Sequence, residues 1–289
     1  DYENPAMDAA IYVDEAGWGS GVGGPQDTLE AVCREYVETA PRKADLIWVV
    51  DDSLLTQATR DELADNAWWL FWWAEDNGLE LRVGVVNGEP QNSGVFCTGS
   101  GQSNDFFLTA ADQAGLEACL RAPQGGLPAQ AGGFYGITQA HAAIANHLPR
   151  ADQPNRIRPG VPLGVLFVSA RTSGEVQDAA CAGDTACIQG VLQSTLGLLD
   201  GSANPEAEGT AHALVGPLPN GCATAEAGFG FVELANQTGG AVGSICHYDI
   251  SATTGAVLES VLGEGLTVHI EEAPIAASLG VQLPLGTLQ

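Results

Sequence analysis

Basic side chains are scarce in this 289-residue sequence, which has nine arginines and one lysine, Lys43, against 36 acidic residues. The formal net charge is −26, and neither Lys nor Arg follows Arg171. A protein that binds phosphate backbones needs clustered Lys and Arg, and anionic lipid headgroups repel a surface this negative. The composition therefore excludes nucleic acid as a partner and disfavours the membrane surface.

Long hydrophobic runs are also missing. The densest apolar stretch, residues 67–74, is much shorter than the ~18 residues that a spanning helix needs, so no membrane insertion is expected. The chain is not a disordered acidic tail, because 45% of its residues are hydrophobic and only 16% are charged. Because the sequence begins at Asp1, we expect a mature form whose signal peptide has been removed, and hence an extracellular or cell-surface protein.

The seven cysteines include no Cys-x-x-Cys pair, so a zinc or redox site is not favoured. Disulfides would place the protein outside the cytosol, and the spacing of Cys181 and Cys187 suits a local bridge. An odd number leaves at least one thiol unpaired, many pairings remain open, and buried reduced cysteines are the alternative. Our preferred pairing joins Cys97 to Cys119, Cys181 to Cys187 and Cys222 to Cys246, and leaves Cys33 over.

Short continuous apolar runs alternate with helical segments through the middle of the chain. Runs at 46–50, 81–86 and 162–168 are typical of parallel strands buried on both faces, and a single long helix is predicted over 56–77, ended by Gly78. This alternation gives right-handed βαβ units. The sequence therefore predicts an α/β fold with a doubly wound, mostly parallel, Rossmann-like sheet.

The two ends of the chain have a different character. Residues 1–39 are predicted to form an arm with a short strand at 9–13 and a helix from residue 28. Residues 264–289 are predicted to form a β extension with strands at 266–270 and 279–283. The β-rich extensions would pair with each other or extend the sheet, and the α/β domain between them covers 40–263.

The first strand of that domain ends in Val50-Asp51-Asp52-Ser53-Leu54-Leu55. In open α/β sheets, ligands bind beyond the carboxyl ends of the strands. At this point the sequence resembles a von Willebrand factor A domain of the secreted bacterial type, a family that carries Asp-x-Ser-x-Ser in a metal-ion-dependent adhesion site. The resemblance covers residues 40–263 and implies the same doubly wound fold with a site for Mg²⁺ or Ca²⁺.

The resemblance also implies that this metal site is degenerate. Mg²⁺ needs six oxygen ligands in near-octahedral geometry, and the family supplies them from three loops. Asp51 and Ser53 match the first two ligand positions, but Leu55 offers no side-chain oxygen at the third, and Thr56 would substitute only with a loop shift.

The other two loops depart from the family pattern as well. The second should supply a threonine, and its equivalents here are Phe134 or Tyr135, with Thr138 as an alternative. The third should supply an aspartate, where this chain has Ala170 followed by Arg171. We therefore expect no cofactor, with Asp51 paired to Arg171 or capping a helix. Mg²⁺ or Ca²⁺ held by Asp51 and Ser53 remains the alternative.

Residues 66–74 hold an unusual concentration of aromatic side chains. A helix that is apolar all round is expected to be buried on every side, and the chain ends or residues 123–133 could cover it. Exposed apolar patches mark contacts, and tryptophan is enriched at interface hot spots. The second hypothesis is therefore a partner surface, and a saccharide platform is a third; the surface comprises Trp68, Trp69, Phe71, Trp72 and Trp73.

Catalytic patterns are not found. The five histidines show neither HxxxH nor HExxH spacing, and neither a Gly-x-Ser-x-Gly elbow nor a Walker loop occurs. The sequence thus predicts a non-enzyme: an extracellular protein–protein interaction module, adhesive or structural, in a cell-surface or filamentous assembly with a protein partner or with itself. A metal-dependent adhesin and a carbohydrate-binding surface protein are the alternatives.

Overall fold

The computed structural model describes residues 11–13, 42–51, 55, 57–87, 94–98, 102–103, 108–121, 134–150, 155–181, 183–202, 205, 209–246, 253–257, 279–283 and 286–287. The chain divides into two compact units. One comprises Arg42–Glu264, and the other comprises Asp1–Pro41 together with Gly265–Gln289.

A five-stranded parallel sheet forms the centre of the larger unit. In chain order the strands of the protein are β1 Ile11–Val13, β2 Arg42–Val50, β3 Leu79–Asn87, β4 Phe96–Cys97, β5 Gln102–Ser103, β6 Leu163–Ser169, β7 Gly209–Val215, β8 Val242–Ser244, β9 Leu279–Leu283 and β10 Gly286–Thr287. The sheet has the order β3-β2-β6-β7-β8, and each neighbouring pair is parallel. The predicted parallel sheet is confirmed.

Helices cover both faces of this sheet. They are α1 Gln57–Asp65, α2 Ala67–Asp76, α3 Gln113–Arg121, α4 Gly136–Asn146, α5 Gly174–Asp178, α6 Thr185–Leu199 and α7 Phe231–Gln237. The buried side chains of α1, α2 and α3 share one core cluster, and those of α4, α6 and α7 share the other. Strand β2 contributes Trp48 to the first cluster and Val49 to the second, as the two-residue period of a strand requires. The fold is therefore doubly wound.

The single helix predicted over 56–77 is wrong, because the structure has two helices with a break at Asn66. The Asn66 side-chain amide donates to the Glu62 carbonyl at 2.8 Å, beside the backbone bond that the same carbonyl accepts from Asn66 at 3.0 Å. Asn side chains compete in this way with the regular helical pattern. The predicted end is confirmed, because Gly78 has φ of +63° in the left-handed region that glycine favours.

Two helices, α5 and α6, lie between β6 and β7. Between them the chain turns through the small loop closed by Cys181 and Cys187. Helix α6 then begins at an N-cap, where the Asp184 carboxylate accepts from the backbone N–H groups of Ala186 at 3.0 Å and Cys187 at 3.2 Å.

Three disulfides hold the larger unit, and they are those of the preferred pairing: Cys97–Cys119, Cys181–Cys187 and Cys222–Cys246. Cys33 lies outside the described residues. Disulfides form and persist in oxidising compartments and are rare in the cytosol. The three bridges are therefore typical of a protein that works outside the cytosol.

A buried ion-pair network lies near the amino end of the sheet. Asp45 of β2 is fully buried and accepts from Arg82 at 2.9 and 2.8 Å and from Arg158 at 3.0 Å. Arg158 also reaches Glu80 at 2.6 Å. A buried carboxylate is tolerated only where paired charges and hydrogen bonds satisfy it, so two of the scarce arginines serve the fold.

The smaller unit contains a three-stranded antiparallel sheet in the order β1-β9-β10. Tyr12 lies opposite Gly280, so the strands predicted at the two ends of the chain pair with each other. The strand predicted at 266–270 and the helix predicted from residue 28 lie outside the described residues.

Candidate functional site

The order of the strands locates a candidate ligand site in the larger unit. From β2 the chain passes to β3 on one side and then returns to β6 on the other. In open α/β sheets this reversal creates a crevice at the carboxyl ends of the two central strands. The expected position is therefore the carboxyl ends of β2 and β6, where Asp51 contacts Ser169.

Asp51 is fully buried at this position. The Ser169 hydroxyl donates to Asp51 Oδ2 at 2.9 Å and accepts from the backbone N–H of Arg171, also at 2.9 Å. The Asp51 backbone N–H donates to the Val168 carbonyl at 2.9 Å. The sequence led us to expect that Asp51 pairs with Arg171 or caps a helix, and these alternatives stay predictions. The contact with Ser169 was not expected, although a hydroxyl at the end of the neighbouring strand was the signal that could have found it.

The second loop presents different groups from those of a metal site. Phe134 is 4% exposed and packs against Phe231. The Tyr135 hydroxyl donates to Asp178 at 2.5 Å, and this bond raises the pKa of the Tyr135 phenol. The backbone N–H of Thr138 donates to Glu175 at 2.7 Å. Phe134 carries no side-chain oxygen and the Tyr135 hydroxyl is bound to Asp178, so neither of these two positions supplies an oxygen in the way the resemblance implies.

The described donor set does not fit the metal that the resemblance implies. Ala170, at the third-loop position, is 4% exposed and Leu55 is 7% exposed, and neither side chain carries an oxygen. No group of three or more His, Cys, Asp or Glu residues within the described ranges could hold an ion. Ser53 lies outside those ranges, so its role as a ligand stays a prediction.

Helix α2 carries the aromatic cluster, and its two tryptophan pairs lie on different faces. The side chains of Trp68 and Trp72 are 50% and 51% exposed, with ring centroids 6.3 Å apart and planes tilted by 49°. Trp69 and Trp73 have the same centroid distance but are partly buried against the core. A β-carbon at Gly255 would lie 3.6 Å from Trp69 Cη2, so this indole packs beside residues 253–257.

Phe71 was included in the predicted partner surface, and this was wrong. It is 4% exposed and belongs to the core cluster between α2 and the sheet. Successive helical residues point about 100° apart, so the turn that exposes Trp68 and Trp72 directs Phe71 inward. The candidate surface is therefore the Trp68–Trp72 face, defined by those two indoles. The loop at 123–133, one of the segments expected to cover this helix, lies outside the described residues.

Charged groups border the Trp68–Trp72 face. Asp65 lies just before this face in the chain, and 68% of its side chain is exposed. Its carboxylate accepts a hydrogen bond from the Arg121 guanidinium at 2.5 Å. Arg121 also lies 3.2 Å from Asp61. Glu75 and Asp76 follow the tryptophans at the carboxyl end of α2, and both are exposed. The exposed indoles therefore lie between carboxylates on both sides.

His212 is fully buried on β7. Its Nδ1 accepts from the backbone N–H of Ala241 at 3.0 Å, and its Nε2 finds no hydrogen-bond partner among the described residues. Burial lowers the pKa of His212 to about 4. This histidine is neutral at pH 7 and fastens β8 to β7.

The sequence was also compared with known protein families and with curated proteins. No family model matches the sequence, and a search of curated proteins returns no match. Within the described ranges, no helix is long and apolar enough to cross a membrane. The exposed pair Trp68 and Trp72 and the buried contact between Asp51 and Ser169 are thus the two candidate functional features of the larger unit.

Proposed function

We propose that this protein is an extracellular protein–protein interaction module without catalysis, an adhesive or structural component of a cell-surface or filamentous assembly. The observation that carries the proposal is the half-exposed pair Trp68 and Trp72 on a helix whose opposite face is core. Tryptophan and tyrosine are enriched at binding hot spots. Two adjacent indoles expose a large apolar area to water, and burying that area against a partner is favourable.

The support beneath this face makes it suitable for binding. Leu70 is fully buried and Phe71 nearly so, and the half-buried Trp69 and Trp73 pack against the same core. The helix that carries the exposed pair is therefore anchored before any partner arrives. Indoles also have only two side-chain torsions, so ordering them on binding loses little entropy.

The setting of the protein supports an extracellular role. Three disulfides fit a secreted protein, and a central first strand that ends in buried Asp51 agrees with the resemblance to a von Willebrand factor A domain. In this proposal the adhesion site of that family is degenerate, with Ser169 bound to Asp51 and Ala170 in place of a ligand. The partner binds at helix α2 instead of at that site.

The two alternatives receive less support from the geometry. The planes of Trp68 and Trp72 are tilted by 49°, so the two rings do not form one flat platform for a saccharide. A metal-dependent adhesin needs several oxygens around Asp51. We expect calorimetric titration with Mg²⁺ and with Ca²⁺ to give no heat that Asp51→Ala removes; a micromolar site lost in that variant would restore the metal-dependent function.

Site-specific photo-crosslinking tests the proposed function. Benzoylphenylalanine is introduced in place of Trp72 and, as a control, in place of Val242, an apolar side chain on β8 that is 46% exposed. Each protein is irradiated on the surface of the source cells. We expect adducts of defined mass from position 72, and their loss when Trp68→Ala is added. Equal adducts from both positions would contradict the proposal.

Light scattering over a wide concentration range complements this experiment. A protein that assembles with itself through the Trp68–Trp72 face would grow in mass with concentration, and Trp68→Ala with Trp72→Ala would prevent that growth. A protein that binds a different partner would stay monomeric alone and still give adducts at position 72. The two versions of the proposed function are thereby separated.

A further inference from the structure

The exposed side chains of α2 form one stripe that is aromatic at one end and acidic at the other. Trp68, Trp72, Glu75 and Asp76 are the exposed side chains that follow one another at steps of four, three and one residues, which places them on a single side of a helix. The stripe therefore begins with two indoles and continues into two carboxylates. In an α-helix, residues three and four positions apart are neighbours, so Glu75 and Asp76 adjoin Trp72.

The carboxylates at the two ends of this stripe have different surroundings. At the amino end, Arg121 lies against Asp61 and Asp65 and offsets part of their charge. At the carboxyl end, Glu75 and Asp76 are exposed to solvent. Arg42 lies nearby and donates to the Asn77 carbonyl at 3.2 Å, but the described residues give neither Glu75 nor Asp76 an ion pair. Both carboxylates are therefore accessible to a cation, and the net charge of −26 favours its approach over longer distances.

We propose that the Trp68–Trp72 face binds a cationic protein segment, whose Lys or Arg side chains lie on the indole rings and pair with Glu75 and Asp76. The inference rests on the proposed function and names the chemistry of the partner. A cation within about 6 Å of an indole centroid is attracted by the ring, and tryptophan is the best such acceptor. Carboxylates beside the rings add charge complementarity and speed the encounter.

A second copy of this chain fits the same face poorly. It would bring a second net charge of −26 with only ten basic side chains, and several of its arginines are already engaged: Arg82 and Arg158 are 12% and 13% exposed and bind Asp45. Arg121 is already shared between two aspartates. Charge complementarity therefore selects a different, basic protein.

Calorimetric titration with synthetic peptides tests this inference. The probe is an octa-arginine peptide at low ionic strength, and octa-citrulline is the uncharged match. We expect octa-arginine to bind and octa-citrulline not to bind. Trp68→Ala with Trp72→Ala should weaken octa-arginine binding by about tenfold. Glu75→Gln with Asp76→Asn should weaken it severalfold, by about as much as loss of two surface charge pairs implies.

A matched variant separates this surface from general attraction to an acidic protein. Asp178→Asn with Asp200→Asn removes two exposed carboxylates away from α2 and should change the affinity less than about twofold. Equal affinity in all three double variants would overturn the inference, as would no binding of octa-arginine to the wild type.

The failure of this inference is distinguishable from failure of the proposed function. If crosslinks at position 72 persist at high salt and are unchanged by Glu75→Gln with Asp76→Asn, the partner segment is not cationic, while the protein contact stands. If position 72 gives no more adducts than position 242, the proposed function itself fails, whatever the peptides do.

Discussion

Trp69 and Trp73 repeat, one residue later on α2, the geometry of Trp68 and Trp72. The ring centroids are 6.3 Å apart in both pairs. One pair is partly buried against the core, and the other leaves half of each indole in water. A rotation of about 100° around the helix therefore separates a structural pair from an interaction surface, and sequence spacing alone does not say which pair is which.

Substitution beneath the two pairs gives the largest expected effect. Phe71→Ala removes a buried ring from the core that anchors α2, and we expect it to lower the free energy of unfolding by about 3–5 kcal/mol. Urea denaturation followed by circular dichroism measures this. A loss below about 1 kcal/mol would mean that the inward face is not packed as described.

Removal of the disulfide between Cys97 and Cys119 should have the next largest effect. This bridge closes a segment of 22 residues and ties α3, which lies in the same helical layer as α2, to β4. We expect Cys97→Ala with Cys119→Ala to lower the free energy of unfolding by about 3 kcal/mol. The Cys181–Cys187 bridge spans six residues, and its removal is the control, with about 2 kcal/mol expected. The reverse order in denaturation would contradict this account of the layer.

Acid should destabilise the fold around His212, which is buried on β7. Burial lowers the pKa of His212 from its ordinary value of 6.5 to about 4 in the folded protein. Between these two pH values the imidazole is protonated in the unfolded chain but neutral in the folded protein. The contribution of His212 to stability is therefore complete above pH 6.5 and lost as the pH falls to about 4, by up to about 3 kcal/mol.

The pH effect is measured against a variant, because carboxylates titrate in the same range. His212→Gln keeps an acceptor for the Ala241 N–H but cannot take up the proton. We expect the difference in unfolding free energy between the wild type and this variant to change with pH between 6.5 and 4. Parallel pH profiles for the two proteins would refute the role given to His212.

The smallest stability effect belongs to the outward pair. Trp68→Ala removes a side chain of which about half is buried, and we expect it to lower the free energy of unfolding by about 1–2 kcal/mol. The comparison is with Trp69→Ala in the same denaturation experiment, which should cost clearly more. Equal losses for the two variants would erase the distinction between the pairs.

Much of the fold follows from local pattern. The buried parallel strands were predicted, the pairing of the chain ends was one of two alternatives, and the three disulfides match the preferred one of many possible pairings. The division of residues 56–77 was not predicted, because it depends on one Asn66 amide bonding to Glu62. A local hydrogen bond from a side chain to the backbone does not change the spacing of the apolar residues. Hydrophobic periodicity therefore cannot predict such a break in a helix.

The site was less predictable than the fold. Asp51 was placed correctly at the end of the first strand, but its contact with Ser169 joins residues 118 positions apart and depends on the pairing of β2 with β6. The division of the tryptophans depends likewise on residues 253–257, which pack on Trp69. Both outcomes come from tertiary contacts that a local window of sequence does not contain.

Oxidative footprinting of the tryptophans on the source cell surface tests the central claim most directly. The protein is oxidised with and without its native surroundings, and each indole is quantified by mass spectrometry. The account predicts that Trp68 and Trp72 are oxidised readily in the isolated protein and protected on the cell surface, while Trp69 and Trp73 change little. Unchanged oxidation of Trp68 and Trp72 on the cell surface would contradict it.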